Sequence, residues 1–249
     1  MKFKLTWNAC LAALSLAAMA APAFAQGDIR VVNRVRVKPG STADWIAANK
    51  DRVALLAKGG SDRGFTVWQS TTGPREYAVV SYRSKWTELD QTVDPQMKAH
   101  EGPMAAIWAR INAATESVET EMHTKVPDST SPRSTELPAF VRTGRATVAP
   151  GKMNEALALF SSELVPAWKK AGTSAYGIFR VRYGAPTNQI LTFAAMKSWA
   201  DLDGPSPAEK AMGAEGFQRF QSKIGALTLR TEWTVYRYRP ELSYVPAAK

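Results

Sequence analysis

Apolar and polar side chains alternate from residue 29 to residue 37. Ile29, Val31, Asn33, Val35 and Val37 share one face, and Arg30, Val32, Arg34 and Arg36 the other. A period of two is the mark of a strand whose sides meet different surroundings. Pro39-Gly40 then turns the chain, and Ser41 or Thr42 can cap a helix running to Lys58. The runs "GFTVWQS" (64–70) and "EYAVVSY" (76–82) flank Thr72-Gly73-Pro74 and read as a hairpin. Residues 86–91 predict a short helical turn, 96–113 a second helix, and "ESVETEMHT" (116–124) a last alternating strand. The order is β-α-β-β-α-β.

The same order returns in the second half, over 140–148, 152–171, 175–183, 189–196, 207–225 and 228–238. Pro166 is expected to kink the first of these helices, because it lacks a backbone donor and crowds the preceding turn. The two halves also match in sequence. Val37-Lys38-Pro39-Gly40 matches Val148-Ala149-Pro150-Gly151, and "SKWTELD" (84–90) matches "KSWADLD" (197–203), with Trp86 opposite Trp199. Lys98-Ala99 matches Lys210-Ala211, and Glu119 matches Glu232, at a spacing that stays between 111 and 113 residues. Ordered matches at one spacing indicate an internal duplication. The predicted fold class is α+β, with two tandem ferredoxin-like modules packed sheet to sheet as a pseudo-dimeric α/β barrel. The modules are placed at 26–126 and 139–249. The Pro/Ser/Thr-rich stretch 127–138 forms the linker.

The N-terminus changes the picture of where this happens. Lys2 and Lys4, a short apolar run and Ala23-Phe24-Ala25 give residues 1–25 the order of a secretory signal peptide cleaved before Gln26. A periplasmic or secreted protein is expected. Cys10 lies inside the leader, so the remaining 224 residues hold no cysteine, and no later apolar run reaches the ~18 residues of a membrane span. Losing two lysines lowers the formal charge from +10 to +8. That excess is dispersed, so a generally solvated basic surface is expected; contact with an anionic envelope surface stays open, and nucleic acid is not expected as a partner of an exported protein.

The strand, the Pro-Gly turn and the "SKW..LD" segment resemble the dimeric α/β-barrel superfamily, which includes antibiotic-biosynthesis-monooxygenase-like and NIPSNAP-like proteins. The resemblance covers nearly all of residues 26–249, as two fused copies, and implies a barrel formed within one chain, expected to be monomeric. It implies a small hydrophobic or aromatic ligand, with monooxygenase activity among the functions, either cofactor-free or haem-dependent. Non-catalytic carriers and envelope interaction proteins stay open, since a fold hosts many functions. Haem degraders of this superfamily carry an Asn on the first strand and an iron-ligating His. "VNRVRV" places Asn33 at the first of these positions, and "MKAHEGP" places His100 near the second. The resemblance thus leaves the cofactor open, with haem as one option and His100 as its ligand if haem is bound. Gln91 stands near the family's tryptophan position, with Trp86 upstream, and the second half has Gly144 and Met212 in place of the two polar residues.

Asn33 interrupts an apolar strand face, and a buried amide without partners costs about 1–3 kcal/mol. It therefore binds a ligand or ties down its neighbours. His100 is a candidate proton-transfer group or iron ligand, or else a helix-capping residue. His123 alternates with Glu119 and Glu121 and is expected at the surface or in a cross-strand contact. Trp45, Trp68 and Trp108 can line an aromatic pocket, although their spacing also suits core packing. Arg34 and Arg145 are equivalent, as are Glu119 and Glu232, so a cross-strand ion pair repeated in each half is expected. An anionic ligand held by the two arginines is the alternative. No nucleophile elbow, Walker loop or HExxH motif occurs, and two histidines with no mature cysteine make a zinc site a poor fit.

Overall fold

The computed structural model describes residues 27–91, 94–131 and 136–246; the predicted signal peptide lies outside the described residues. The first module runs β1 (Ile29–Val37), α1 (Thr42–Gly59), β2 (Thr66–Ser70), β3 (Tyr77–Arg83), α2 (Glu101–Ala114) and β4 (Thr115–Lys125). The second runs β5 (Phe140–Val148), α3 (Met153–Leu159), α4 (Val165–Lys170), β6 (Tyr176–Tyr183), β7 (Gln189–Met196), α5 (Pro207–Met212), α6 (Ala214–Leu227) and β8 (Thr228–Tyr238). Trp86 and Trp199 each open a 3-10 turn, Trp86–Leu89 and Trp199–Leu202, as their equivalence requires.

Two predicted helices are interrupted, each for a local reason. Pro166 cannot donate to the carbonyl one turn back, and the helix passes through a π segment, Phe160–Leu164, before α4 begins. The stretch 207–225 divides at Gly213, whose φ of 75° lies outside helical space. In the first module, residues Pro95–His100 form a 3-10 turn capped by the Asp94 carboxylate, and α2 starts only at Glu101.

Each module supplies four strands, in the order β4-β1-β3-β2 and β8-β5-β7-β6. Their edges then join, β2 to β8 and β4 to β6, closing one eight-stranded barrel of antiparallel pairings. Closure removes the free edges that a single ferredoxin-like sheet would expose. Gly184 lies at the second joint, with φ of +83°, and a side-chain carbon there would sit 1.9 Å from the Thr120 carbonyl oxygen. The C-terminal segment crosses back as well, where Tyr244 bridges Phe65.

The barrel divides the core in two. The outer sheet faces pack on the helices, in one cluster around Trp45, Val67, Val79 and Ile111 and another around Trp168, Ile178, Ile190 and Phe220. The inner face carries Val32, Trp68, Val80, Val141 and Tyr236, with Phe179, Val181 and Leu191 beside them. The parity of β1 follows from this. Ile29, Val31 and Val35 are buried, and Val35 joins the helix-side core; Arg30, Val32 and Arg34 face the barrel.

Candidate functional site

Inside the barrel lies a cavity of about 130 Å³. An apolar cavity of about 150 Å³ is enough to hold benzene, so this one suits a single small ring. Its walls are Trp68, Val80, Tyr82, Leu191, Phe193 and Tyr236, drawn from both modules. Ser131, Leu137 and Pro138, from the stretch between the modules, also line it. Ser131 is held there by backbone pairing to Tyr176.

One wall is polar. On adjacent strands Arg30 stands directly opposite Tyr82 on one side and His123 on the other, so three barrel-facing side chains form a row across β3, β1 and β4. Opposed residues on paired strands have Cβ atoms about 4.5–5.5 Å apart. His123 is 1% exposed, and its Nε2 lies 2.9 Å from Glu121 Oε2. Arg145 Nη2 donates to both Glu121 oxygens, at 2.7 and 3.0 Å, and Arg34 Nη2 lies 3.5 Å away. Glu121 thus ties the first module to the second.

Burial alone would raise the Glu121 pKa, but the His123 hydrogen bond and the Arg145 and Arg34 charges outweigh it and bring it to about 2. His123 is lowered to about 4, first by burial and then by Arg30 and Arg145, against the opposing pull of Glu121. At neutral pH the carboxylate is therefore ionised and the imidazole neutral. An ionised carboxylate only accepts, so Nε2 carries the imidazole proton and Nδ1 presents a lone pair. That Nδ1 is buried without a hydrogen-bond partner, and so is Arg30 Nε. The Arg30 guanidinium stacks 5.0 Å from the Phe179 ring centroid and 5.9 Å from Phe193, and burial lowers its pKa.

The structure separates the sequence-predicted residues. Trp68 and Arg34 line the cavity, and Arg145 reaches it through Glu121. Trp45 is 1% exposed in the helix-side core and stacks on Tyr77 at 4.4 Å. Trp108 is 40% exposed on the outside, where Arg52 stacks against it at 4.6 Å. Neither touches the barrel interior. Asn33 also points outward, its Oδ1 accepting from Thr120 Oγ1 at 2.7 Å. Of the two roles expected for Asn33, the structure shows the tie to a neighbouring strand. At the equivalent Gly144 an added carbon would sit 2.7 Å from the Trp233 ring, so an asparagine has no room there.

The expected repeated ion pair is likewise corrected. Arg34 and Arg145 do face Glu119 and Glu232 in register, but both turn to Glu121, and Glu232 pairs with Arg230 instead. Burial decides this, because a carboxylate inside the barrel needs compensating charge far more than one at its rim. His123, expected at the surface or in a cross-strand contact, is among the most buried side chains and stands opposite Arg30 on the neighbouring strand. The missed signal is a difference between the halves. The positions facing each other as Arg30 and His123 in the first module are Val141 and Tyr236 in the second.

Haem does not fit this site. A porphyrin carries four pyrrole rings, against a cavity sized for one, and the only histidine lining it spends Nε2 on Glu121. His100 ends the 3-10 turn against Gly59, outside the barrel. Among the described residues no cluster of His, Cys, Asp or Glu could hold a metal ion, and no helix is long and apolar enough to cross a membrane.

No protein-family model and no curated protein sequence matches the chain. Solved structures do. A chain from Fusobacterium nucleatum subsp. nucleatum ATCC 25586, provisionally assigned as a monooxygenase, matches at TM-score 0.62 and 12% identity, over 86% of this chain and 94% of that one. One from Lactobacillus acidophilus NCFM, with the same provisional assignment, matches at TM-score 0.60 and 7% identity, over 89% and 97%. An anthrone oxidase-like protein matches at 0.56 and 11% identity, over 87% and 93%. At such identities the likeness is one of fold. The chain is a ferredoxin-like dimeric α/β barrel in which both halves of the dimer are covalently joined.

Proposed function

We propose that the protein is an exported receptor for a small, single-ring aromatic or hydrophobic molecule, held inside the barrel. The observation that carries this reading is the cavity itself, walled by Trp68, Tyr82, Phe193 and Tyr236 from both modules. A closed barrel could fill its interior with side chains; this one leaves room for a ring. The leader of residues 1–25 supports export, and a mature chain beginning at Gln26, read by intact mass, is the expected result. A product retaining residues 1–25 overturns the localisation.

Binding is tested by titrating one-ring compounds into the protein while following tryptophan fluorescence, since Trp68 lines the cavity. Saturable quenching that disappears in Trp68→Phe, with the fold retained, is expected. Similarity to chains provisionally assigned as monooxygenases makes oxygen uptake with each bound compound the second readout. Stoichiometric oxygen consumption assigns an oxygenase, and binding without it assigns a carrier.

A further inference from the structure

Resting on that reading of the barrel cavity, we infer that the ligand carries a ring hydroxyl, a phenol or enol, gripped between His123 Nδ1 and the Arg30 guanidinium. Two buried polar atoms are left without partners at this wall, and they are of opposite kinds. Nδ1 offers a lone pair, because Glu121 fixes the proton on Nε2; Arg30 Nε offers a hydrogen. Leaving such groups unpaired carries their full desolvation cost, so a ligand that satisfies both recovers it. The two side chains are cross-strand neighbours, opposite each other on β1 and β4.

The complement to a lone pair beside an N–H donor is a group that donates and accepts at one atom. A hydroxyl does both. A carboxylate can only accept, so it meets Arg30 well but faces the Nδ1 lone pair with another. An ammonium can only donate and is repelled by Arg30. A ring hydroxyl suits this pair better than an alkyl one, because it is the more acidic donor to Nδ1 and the guanidinium supports the charge left as its proton is shared. The remaining walls carry Trp68, Val80, Phe193 and Tyr236 for a ring, with Thr66, Thr192 and Glu136 among the polar residues at the lining.

The grip exists once per chain. Its counterparts, Val141 and Tyr236, cannot form it, and Tyr236 already donates to Glu76 Oε1 at 2.6 Å. The duplicated fold therefore offers one ligand a recognising row from the first module only, while both modules supply the apolar walls.

The test compares phenol, toluene and benzoate on the intact protein by calorimetry, with His123→Leu and Arg30→Met alongside and circular dichroism to confirm folding. Phenol and toluene differ little in size and differ in the hydroxyl. We expect the phenol-to-toluene preference to fall by about tenfold or more in either variant, with toluene affinity itself little changed. His123→Gln and Arg30→Lys serve if the first pair do not fold. A preference unchanged in both variants overturns the hydroxyl grip while toluene binding keeps the cavity reading. Benzoate binding tighter than phenol, and dependent on Arg30 alone, overturns it in favour of a carboxylate site. No binding of any probe to the folded protein overturns both readings.

Discussion

Glu121 takes two guanidiniums and an imidazole at once inside the barrel. Removing its charge leaves Arg145 and Arg34 uncompensated in a mostly buried setting. Breaking a buried pair on one side costs about 3–5 kcal/mol, and Glu121→Gln is expected to lose that much in urea denaturation. His123 gives the site a pH signature. Its pKa is 6.5 when unfolded and about 4 when folded, so between those values the unfolded chain binds a proton that the folded chain refuses. Stability is therefore complete above pH 6.5 and falls as pH drops toward 4, by roughly 3 kcal/mol at 1.36 kcal/mol per pH unit. Glu121, depressed to about 2, adds a further loss below 4.5. The charged and titratable groups that face the pair are Arg30, Arg34, Arg145, Tyr82 and Tyr236. Urea midpoints measured from pH 7 to 4 should flatten in His123→Leu; an unaltered slope would place the acid sensitivity elsewhere.

At the level of elements, each strand separates two environments, and the tryptophans show which is which. Trp45 on α1 fills the helix-side core against Tyr77, whereas Trp68 on β2 faces the cavity and packs on Tyr238 of β8. Trp45→Ala should cost about 3–5 kcal/mol of stability, as large-to-small core changes do, and leave ligand affinity in the surviving folded protein nearly unchanged. Trp68→Ala should do the reverse, weakening binding more than folding. Equal losses of affinity in the two variants would contradict the division of faces. In sequence these residues are indistinguishable, since each sits in an apolar run at a spacing that suits either side.

The whole molecule is a dimer folded into one chain. Joints β2–β8 and β4–β6 leave no strand edge for a second copy, so the intact protein is expected to run as a single chain in light scattering. The first module alone, residues 27–126, would expose β2, β4 and the aromatic inner face together. Expressed separately, it should pair with itself to close a symmetric barrel, giving twice its chain mass. A folded monomer of that fragment would show that edge closure is not what holds the modules together.

The sequence by itself determined the duplication, the order of strands and helices and the two-faced character of β1. Those properties are local: alternation, turn residues and a constant spacing between repeats express themselves without long-range contacts. Pro166 likewise announced a disturbance, and the helix gave way beside it. Which face of each strand became the ligand cavity was decided only by closure of the barrel. Arg30, Val32, Arg34 and Arg36 share one face of β1; packing of the modules was legible for that face, but not that Arg30, Val32 and Arg34 would line a cavity. His123 and Glu121 lie in a polar strand and are buried by the same closure. Asn33, the conspicuous residue in the sequence, stayed outside because its face of β1 belongs to the helices. Tertiary structure made the choice because an arginine and a histidine can be enclosed only where a carboxylate from one module meets a guanidinium from the other. That meeting, Glu121 with Arg145, spans 24 residues along the chain and joins halves whose relation no local pattern encodes.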